Sequence, residues 1–231
     1  MIILALLLGL SIGWAINQAS DYLPRFAAVQ SSAAALTLHS SRQPALWNWL
    51  HGGSDQPWIR LHVAVEIASA IFTASLWLFR GVSEQGSILL AGYIFFALIT
   101  VIDIKFRLVL NVVLYPAAVL ILLIQGVAVP GNVLNLLLGG AFAFLVFYGA
   151  ALIRPGGLGG GDIKLAALIG LMLGFPGVLV ALIFGAAATT VFLIFLFARH
   201  TASIKMQLPY APFLCFGGLA ALVLMQVGGL S

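Results

Sequence analysis

Long apolar runs, separated by short polar segments, constrain this chain more than any other feature of its sequence. A membrane-spanning helix needs about 20 predominantly apolar residues, and soluble domains do not carry many such stretches. Hydrophobic residues make up 63% of the 231 residues, and charged residues only 7%. The runs lie at 1–17, 62–81, 87–103, 108–129, 133–153, 162–174, 176–198 and 211–230. We therefore expect an all-α, polytopic integral membrane protein of about eight transmembrane helices, the sixth short enough to be a half-span.

The basic residues predict the orientation of these helices. With eight spans, nine of the ten Lys and Arg residues fall on one side of the membrane, and only Arg80 falls on the other. Cytoplasmic loops carry an excess of Lys and Arg, so the nine-residue side should be cytoplasmic. Both termini are then extracytoplasmic, and segment 18–61 is a cytoplasmic loop. The net charge of +4 is spread over several loops without a basic run, which predicts a lipid bilayer but no nucleic acid as partner.

Two aspartates lie at the ends of apolar runs. Asp103 closes the run YIFFALITVID, and Asp162 follows the glycines of RPGGLGGGDIKLAAL. A carboxylate at the edge of the hydrocarbon is costly unless it is hydrated or partnered, which marks it as a functional residue. Both aspartates fall at the cytoplasmic face in the expected topology, where a hairpin of two helices can bring them together. Two carboxylates held close can share a proton, one acting as acid and the other as base.

Each acidic residue also has a purely structural interpretation. Asp162 could cap the N-terminus of the helix that follows it. Asp103 could simply end its helix beside the anchoring charges Lys105 and Arg107. Glu66, about one turn into an apolar helix, could pair with a basic residue of the first loop. The two aspartates together favour a functional interpretation more strongly than either does alone.

Three segments resemble motifs of the type IV prepilin peptidases, which are membrane aspartyl proteases of the GxGD type. The segment GGGDIKL at 159–165 is similar to the motif G-x-G-D-x-K-L. Asp103-Ile104-Lys105-Phe106-Arg107 resembles the first-aspartate motif, D-x-R-x-R or a basic variant, and Asn111 follows as an asparagine does in many members. The segment LPYAPFL at 208–214 resembles the family's I-P-F-x-P-F-L.

The resemblance implies an aspartic-type endopeptidase in the bacterial cytoplasmic (inner) membrane. Its substrates would be type IV prepilins or pseudopilins, from which it cleaves the basic leader peptide at the cytoplasmic face. Asp103 and Asp162 would be the catalytic residues. They would lie in a peptidase core at 87–230, within a single membrane domain that covers 1–231.

Four further residues are expected to contact the substrate. Gly159 and Gly161 would let an extended substrate backbone come close. Lys164 and Glu66 would be further substrate-binding residues, although Lys164 could also be an ordinary interfacial lysine. Neither a metal ion nor a cofactor is expected, and the sequence predicts no oligomeric state.

The chain departs from the family's pattern at two points. Leu108 and Val109 stand where the family has Ile-Pro, so the turn after the first aspartate is expected to differ. Many members also carry two C-x-x-C pairs in the first cytoplasmic loop, whereas the single cysteine here, Cys215, lies in the last apolar run. Structural zinc normally takes four ligands, which this loop does not offer as thiolates. We therefore expect a peptidase that does not N-methylate its product with S-adenosylmethionine.

Three alternatives stay open at the level of the sequence. The chain could be a bifunctional peptidase and N-methyltransferase, which the cysteine-free loop disfavours. It could be an ion- or proton-coupled transporter, but such proteins often show repeated halves and broken helices near the midplane. It could also be a catalytically silent assembly protein of a pilus or secretion system, against which the intact pair of aspartates argues.

Overall fold

The computed structural model describes residues 2–30, 58–81, 83–128, 130–153, 158–199 and 210–228, and this part of the chain is all-helical. It contains eight α-helices and one short 3-10 turn at Pro130–Asn132. The α-helices are α1 (Ile2–Gln30), α2 (Ile59–Arg80), α3 (Glu84–Phe106), α4 (Asn111–Ala128), α5 (Val133–Ile153), α6 (Gly160–Leu173), α7 (Gly177–Ala198) and α8 (Ala211–Gly228). The predicted fold class, an all-α multi-pass membrane protein, is confirmed.

The helices follow the predicted apolar runs, with differences in length. Among the described residues, six helices, α1 to α5 and α7, are long and apolar enough to cross a membrane. Helix α6 has 14 residues and so measures about 21 Å, too short for a hydrocarbon core of about 30 Å. Helix α8 is apolar but also shorter than the six spans over its described apolar part. The expected half-span at 162–174 is therefore present, starting two residues earlier.

The first helix is longer than predicted. It continues to Gln30, so residues 18–30 of the expected loop 18–61 are helical. The prediction that the helix ends at residue 17 is wrong, and residues 31–57 lie outside the described part of the chain. Polar residues such as Asn17, Ser20 and Asp21 ended the apolar run, but in the structure their side chains are buried.

The chain divides into two compact units, Met1–Ile102 and Asp103–Ser231. In the first unit, α1 packs closely against α2. A Cβ added at Gly13 would lie 2.5 Å from the Cα of Glu66, so this approach requires glycine. The side-chain amide of Asn17 donates to the carbonyl oxygen of His62 at 3.1 Å and to Oε1 of Glu66 at 3.4 Å. The interface between α1 and α2 is therefore partly polar, as is common where membrane helices hydrogen-bond to each other.

In the second unit, the short helix α6 lies at the centre. It packs against α4, α5, α7 and α8. Leu165, Ala166 and Ile169 of α6 are at most 1% exposed, which places this helix in the core of the unit. A half-length helix surrounded by longer ones can hold a polar group at its N-terminus inside the protein, because the backbone there is enclosed by protein. Asp162 is in the first turn of α6.

The orientation of the helices stays a prediction, and it can be tested with reporters. A periplasm-dependent reporter fused after Ser231 should be active, and a cytoplasm-dependent reporter inserted within 31–45 should be active as well. The reason is the nine-to-one distribution of basic residues across the two sides. Activity of the cytoplasmic reporter after Ser231 would contradict the assigned topology.

Candidate active site

Asp103 lies in the last turn of α3 and is the first residue of the second unit. It is only 5% exposed. Its carboxylate accepts a hydrogen bond from the backbone N–H of Ala211, and the positive charge of Arg107 acts on it. The second oxygen, Oδ2, is buried and has no hydrogen-bond partner among the described residues. A backbone amide thus binds the Asp103 carboxylate, while its Oδ2 accepts no hydrogen bond from the described residues.

The Ala211 amide can bind Asp103 because it lies at the N-terminus of α8. The carbonyl oxygen of Tyr210 accepts from the amides of Phe213 and Leu214, which makes Tyr210 the residue that precedes the helix. The first amides of a helix have no partner within it, and together they carry a partial positive charge that favours an anion. Pro212 has no N–H and is compatible with the first turn. Ala211, which lies in the segment noted above for its resemblance to a family motif, thus supplies a backbone contact to the first aspartate.

Asp162 is held by the turn that precedes it. Gly159 is the N-cap of α6, with φ −75° and ψ 142°, and Asp162 is the third residue of the helix. The Asp162 carboxylate accepts a hydrogen bond from the backbone N–H of Gly159. An acidic or amide side chain at this third position commonly bonds back to the N-cap amide. The structural interpretation of Asp162 as the N-cap residue itself is therefore wrong, although the side chain does bond to the cap.

The two carboxylates influence each other electrostatically. Asp162 lies outside the six membrane-spanning helices and is half-buried. The pKa of Asp162 is raised to about 6, mainly by burial and also by the negative charge of Asp103. The hydrogen bond from Gly159 partly opposes both effects. The negative charge of Asp103 thus disfavours ionisation of Asp162, which holds its proton at a pH where a free aspartate has lost it.

Among the described glycines of the string, Gly161 has no room for a side chain. A Cβ added at Gly161 would lie 2.8 Å from the Cβ of Val109, which is closer than real Cβ atoms come. At Gly160 an added Cβ would meet nothing within 4 Å, and at Gly159 the nearest atom would be Oδ2 of Asp162 at 3.2 Å. Gly161 therefore lets the turn of Asp162 pack against the segment that follows Asp103. The predicted role of Gly159 and Gly161 in substrate approach stays a prediction.

The segment between Asp103 and α4 differs from a proline-containing turn. Arg107 has a positive φ of 53°, and its amide bonds to the carbonyl oxygen of Asp103 at 2.8 Å. A residue in the left-handed region is a common way to end a helix. Residues 108–110 then run without regular structure to Asn111, the first residue of α4. Arg107 thus ends α3, directly before the two positions at which the family has Ile-Pro.

The two other predicted substrate-binding residues have partners within the protein. Nζ of Lys164 donates to Oδ1 of Asn111 at 3.0 Å and lies 5.5 Å from the centre of the Tyr115 ring. Glu66 belongs to the first unit and is 1% exposed, at the interface between α1 and α2. Whether either residue contacts a substrate stays a prediction. A metal site was not predicted, and within the described ranges no group of three or more His, Cys, Asp or Glu residues could hold a metal ion.

The comparisons with known proteins bear on the segment that contains both aspartates. Residues 90–194 match the model of the type IV leader peptidase family. The chain is similar to the prepilin leader peptidase/N-methyltransferase of Bacillus subtilis (strain 168), with 30% identity over 178 residues. This similarity covers 70% of the chain and 65% of the relative. No solved structure matches the chain. The segment that carries Asp103 and Asp162 therefore matches the type IV leader peptidase family.

Proposed function

We propose that this protein is an aspartic endopeptidase that removes the leader peptide from type IV prepilins or pseudopilins. The observation that carries the proposal is the pair of carboxylates in the second unit, Asp103 and Asp162, of which the first raises the pKa of the second. The match to the leader peptidase family supports the choice of substrate class. The distribution of basic residues supports cleavage at the cytoplasmic face of the bacterial inner membrane.

In the proposed reaction the two aspartates act as base and acid. The ionised carboxylate takes a proton from water while the water oxygen attacks the scissile carbonyl carbon. The protonated carboxyl group donates a hydrogen bond to the carbonyl oxygen and stabilises the charge that develops there. The C–N bond then breaks, and the leaving nitrogen takes up a proton, which restores the singly protonated pair.

The surroundings of the two residues support a division of these roles. Burial disfavours the ionised form of Asp103, and the Ala211 amide and the Arg107 charge partly offset that cost, so Asp103 is proposed as the base. Its buried Oδ2, without a partner among the described residues, is the oxygen proposed to receive the proton of the water. Asp162, with its pKa raised to about 6, is proposed as the acid. A carboxylic acid whose pKa is raised by its surroundings often serves as a general acid.

The raised pKa predicts how the activity depends on pH. Below about pH 6 Asp162 keeps its proton, and above it the active, singly protonated pair is lost. The value of kcat/KM should therefore fall on the alkaline side with an apparent pKa near 6, by up to about tenfold per pH unit. Rates of leader removal measured between about pH 5 and 8 test this. A flat profile across that range would contradict the assignment of Asp162 as the acid.

Methylation is a separate activity, and we propose that this chain lacks it. The Bacillus subtilis relative carries N-methyltransferase in its name. Methyl transfer needs a preorganised pocket that holds the amine close to the sulfonium carbon. The first loop lacks the cysteine pairs that could hold such a pocket through zinc, since the single cysteine is Cys215. We expect the cleaved product to stay largely unmethylated when S-adenosylmethionine is added, and a cofactor-dependent gain of one methyl group on most product N-termini would contradict this.

The proposed activity is tested with purified protein. The protein in detergent is incubated with a prepilin, and the products are analysed by mass spectrometry. We expect loss of the basic leader as a single cut, with the Asp103→Asn variant as the inactive control. An intact substrate after prolonged incubation with folded protein would overturn the proposal and favour the transporter or the silent assembly protein.

A further inference from the structure

A polar bridge beside the proposed active site joins the helix that carries Asp162 to the segment that follows Asp103. Nζ of Lys164 lies 3.0 Å from Oδ1 of Asn111. Lys164 is in α6, two residues after Asp162. Asn111 begins α4, and residues 104–110 separate it from Asp103. The hydrogen bond therefore links the turn of one aspartate to the segment that follows the other.

The partners of Lys164 are both neutral. Besides the amide oxygen of Asn111, the ammonium group faces the ring of Tyr115 at 5.5 Å. Asn111 and Tyr115 are four residues apart in α4, so they lie on the same face of that helix. Across the described ranges Lys164 forms no ion pair with a carboxylate, and the pKa of Asp162 is set by burial, Asp103 and Gly159. The contacts of Lys164 thus fix geometry and do not tune the charge of the acid.

A second contact reinforces the bridge. Gly161 packs against Val109, which belongs to the same segment as Asn111. One turn of α6 is thereby fixed at two points, Gly161 and Lys164, to a stretch of three residues that ends at Asn111. Two adjacent contacts of this kind determine both the distance between two segments and their relative rotation. A displacement of about 1 Å at an active site can cost about a hundredfold in rate.

We infer that Asn111 and Lys164 are positioning residues that hold Asp162 in register with Asp103. The inference rests on the proposed peptidase activity and adds to it a role for Asn111, together with an internal role for Lys164 in place of direct substrate contact. It predicts a specific pattern: loss of the bridge lowers kcat, because the two carboxylates lose their alignment. The value of KM stays nearly constant, because no substrate contact is removed.

Four variants test the inference by steady-state leader removal. Asn111→Leu keeps the size of the side chain and removes the acceptor, and Lys164→Met keeps the apolar stem and removes the donor. Each should lower kcat by about 10- to 100-fold with little change in KM. The double variant should be no slower than the worse single variant, since both remove the same contact. Asn111→Asp retains a side-chain oxygen that can accept the hydrogen bond from Lys164. This variant should therefore keep most of the activity of the unsubstituted protein.

Matched controls separate positioning from folding. Asn132→Leu makes the same substitution in the same unit and breaks another exposed amide hydrogen bond of 3.0 Å, from Asn135, at the far end of α4. It should leave kcat unchanged when rates are expressed per folded molecule, measured by size-exclusion chromatography. A normal kcat per folded molecule for Asn111→Leu, or a raised KM for Lys164→Met alone, would overturn the inference. If the unsubstituted protein itself does not cleave a prepilin, the proposed function fails instead.

Discussion

Replacing Asp103 or Asp162 by Asn should lower the rate of leader removal by at least about a thousandfold. Asparagine keeps the shape of the side chain but can neither take a proton from water nor donate one as an acid. Because the two carboxylates are proposed to act together in one step, the double variant should be no slower than either single variant. Initial rates with a purified prepilin measure all three effects, with loss of the leader followed on gels or by mass spectrometry.

Both single variants should remain folded in the membrane. The pKa of Asp162 is raised from its ordinary value to about 6, so folding favours its protonated form. The contribution of this group to stability is therefore present at low pH and is lost as the pH rises through about 6. Asp162→Asn should accordingly be at least as resistant to heat at about pH 8 as the unsubstituted protein. Near-normal turnover by either folded variant would remove that aspartate from the mechanism.

Gly161→Ala should lower the rate about a hundredfold, whereas Gly160→Ala should stay within about threefold of the unsubstituted protein. The added methyl group at Gly161 would lie 2.8 Å from the Cβ of Val109, so the turn that carries Asp162 must shift. At Gly160, one residue earlier, nothing lies within 4 Å of the added atom. The comparison holds the chemistry of the substitution constant and changes only its surroundings. Rates per folded molecule measure the difference.

A second substitution tests the cause assigned to the loss. Val109→Gly removes the atoms that the new methyl group meets, so Val109→Gly combined with Gly161→Ala should be faster than Gly161→Ala alone. If the combined variant is as slow as Gly161→Ala, the loss has another origin, such as direct contact of Gly161 with the substrate backbone. Equal rates for Gly160→Ala and Gly161→Ala would contradict the contact with Val109 altogether.

The sequence predicts the helices of this protein better than the polar parts of its interior. Apolar runs in the sequence located all eight described helices, because helices in the interior of a membrane need apolar side chains. The end of α1 was placed too early because Asn17, Ser20 and Asp21 interrupt the apolar pattern. In the structure they are at most 7% exposed, and Asn17 bonds to α2. Hydropathy alone cannot distinguish a polar residue in a loop from one buried against a neighbouring helix.

The proposed catalytic pair follows from the sequence, but most of its surroundings do not. Asp103 and Asp162 were recognised because a carboxylate at the membrane edge is costly and because their motifs resemble a known family. The Ala211 amide that binds Asp103 is a backbone group, and its residue type gives no sign of that role. Pro212 in the first turn of α8 was the available signal, since proline is tolerated where a helix begins. The contact between Gly161 and Val109 depends on how two segments pack, which spacing along the chain does not determine.

Cleavage in water enriched in oxygen-18 tests the central claim most directly, because it follows the water that the two aspartates are proposed to activate. The unsubstituted protein and its Asp103→Asn and Asp162→Asn variants are each incubated with a prepilin, and the released leader is weighed by mass spectrometry. The account predicts one labelled oxygen in the new carboxyl group of the leader with the unsubstituted protein and no cut leader with either variant. Cut and labelled leader from both variants, or no cut leader from the unsubstituted folded protein, would contradict it.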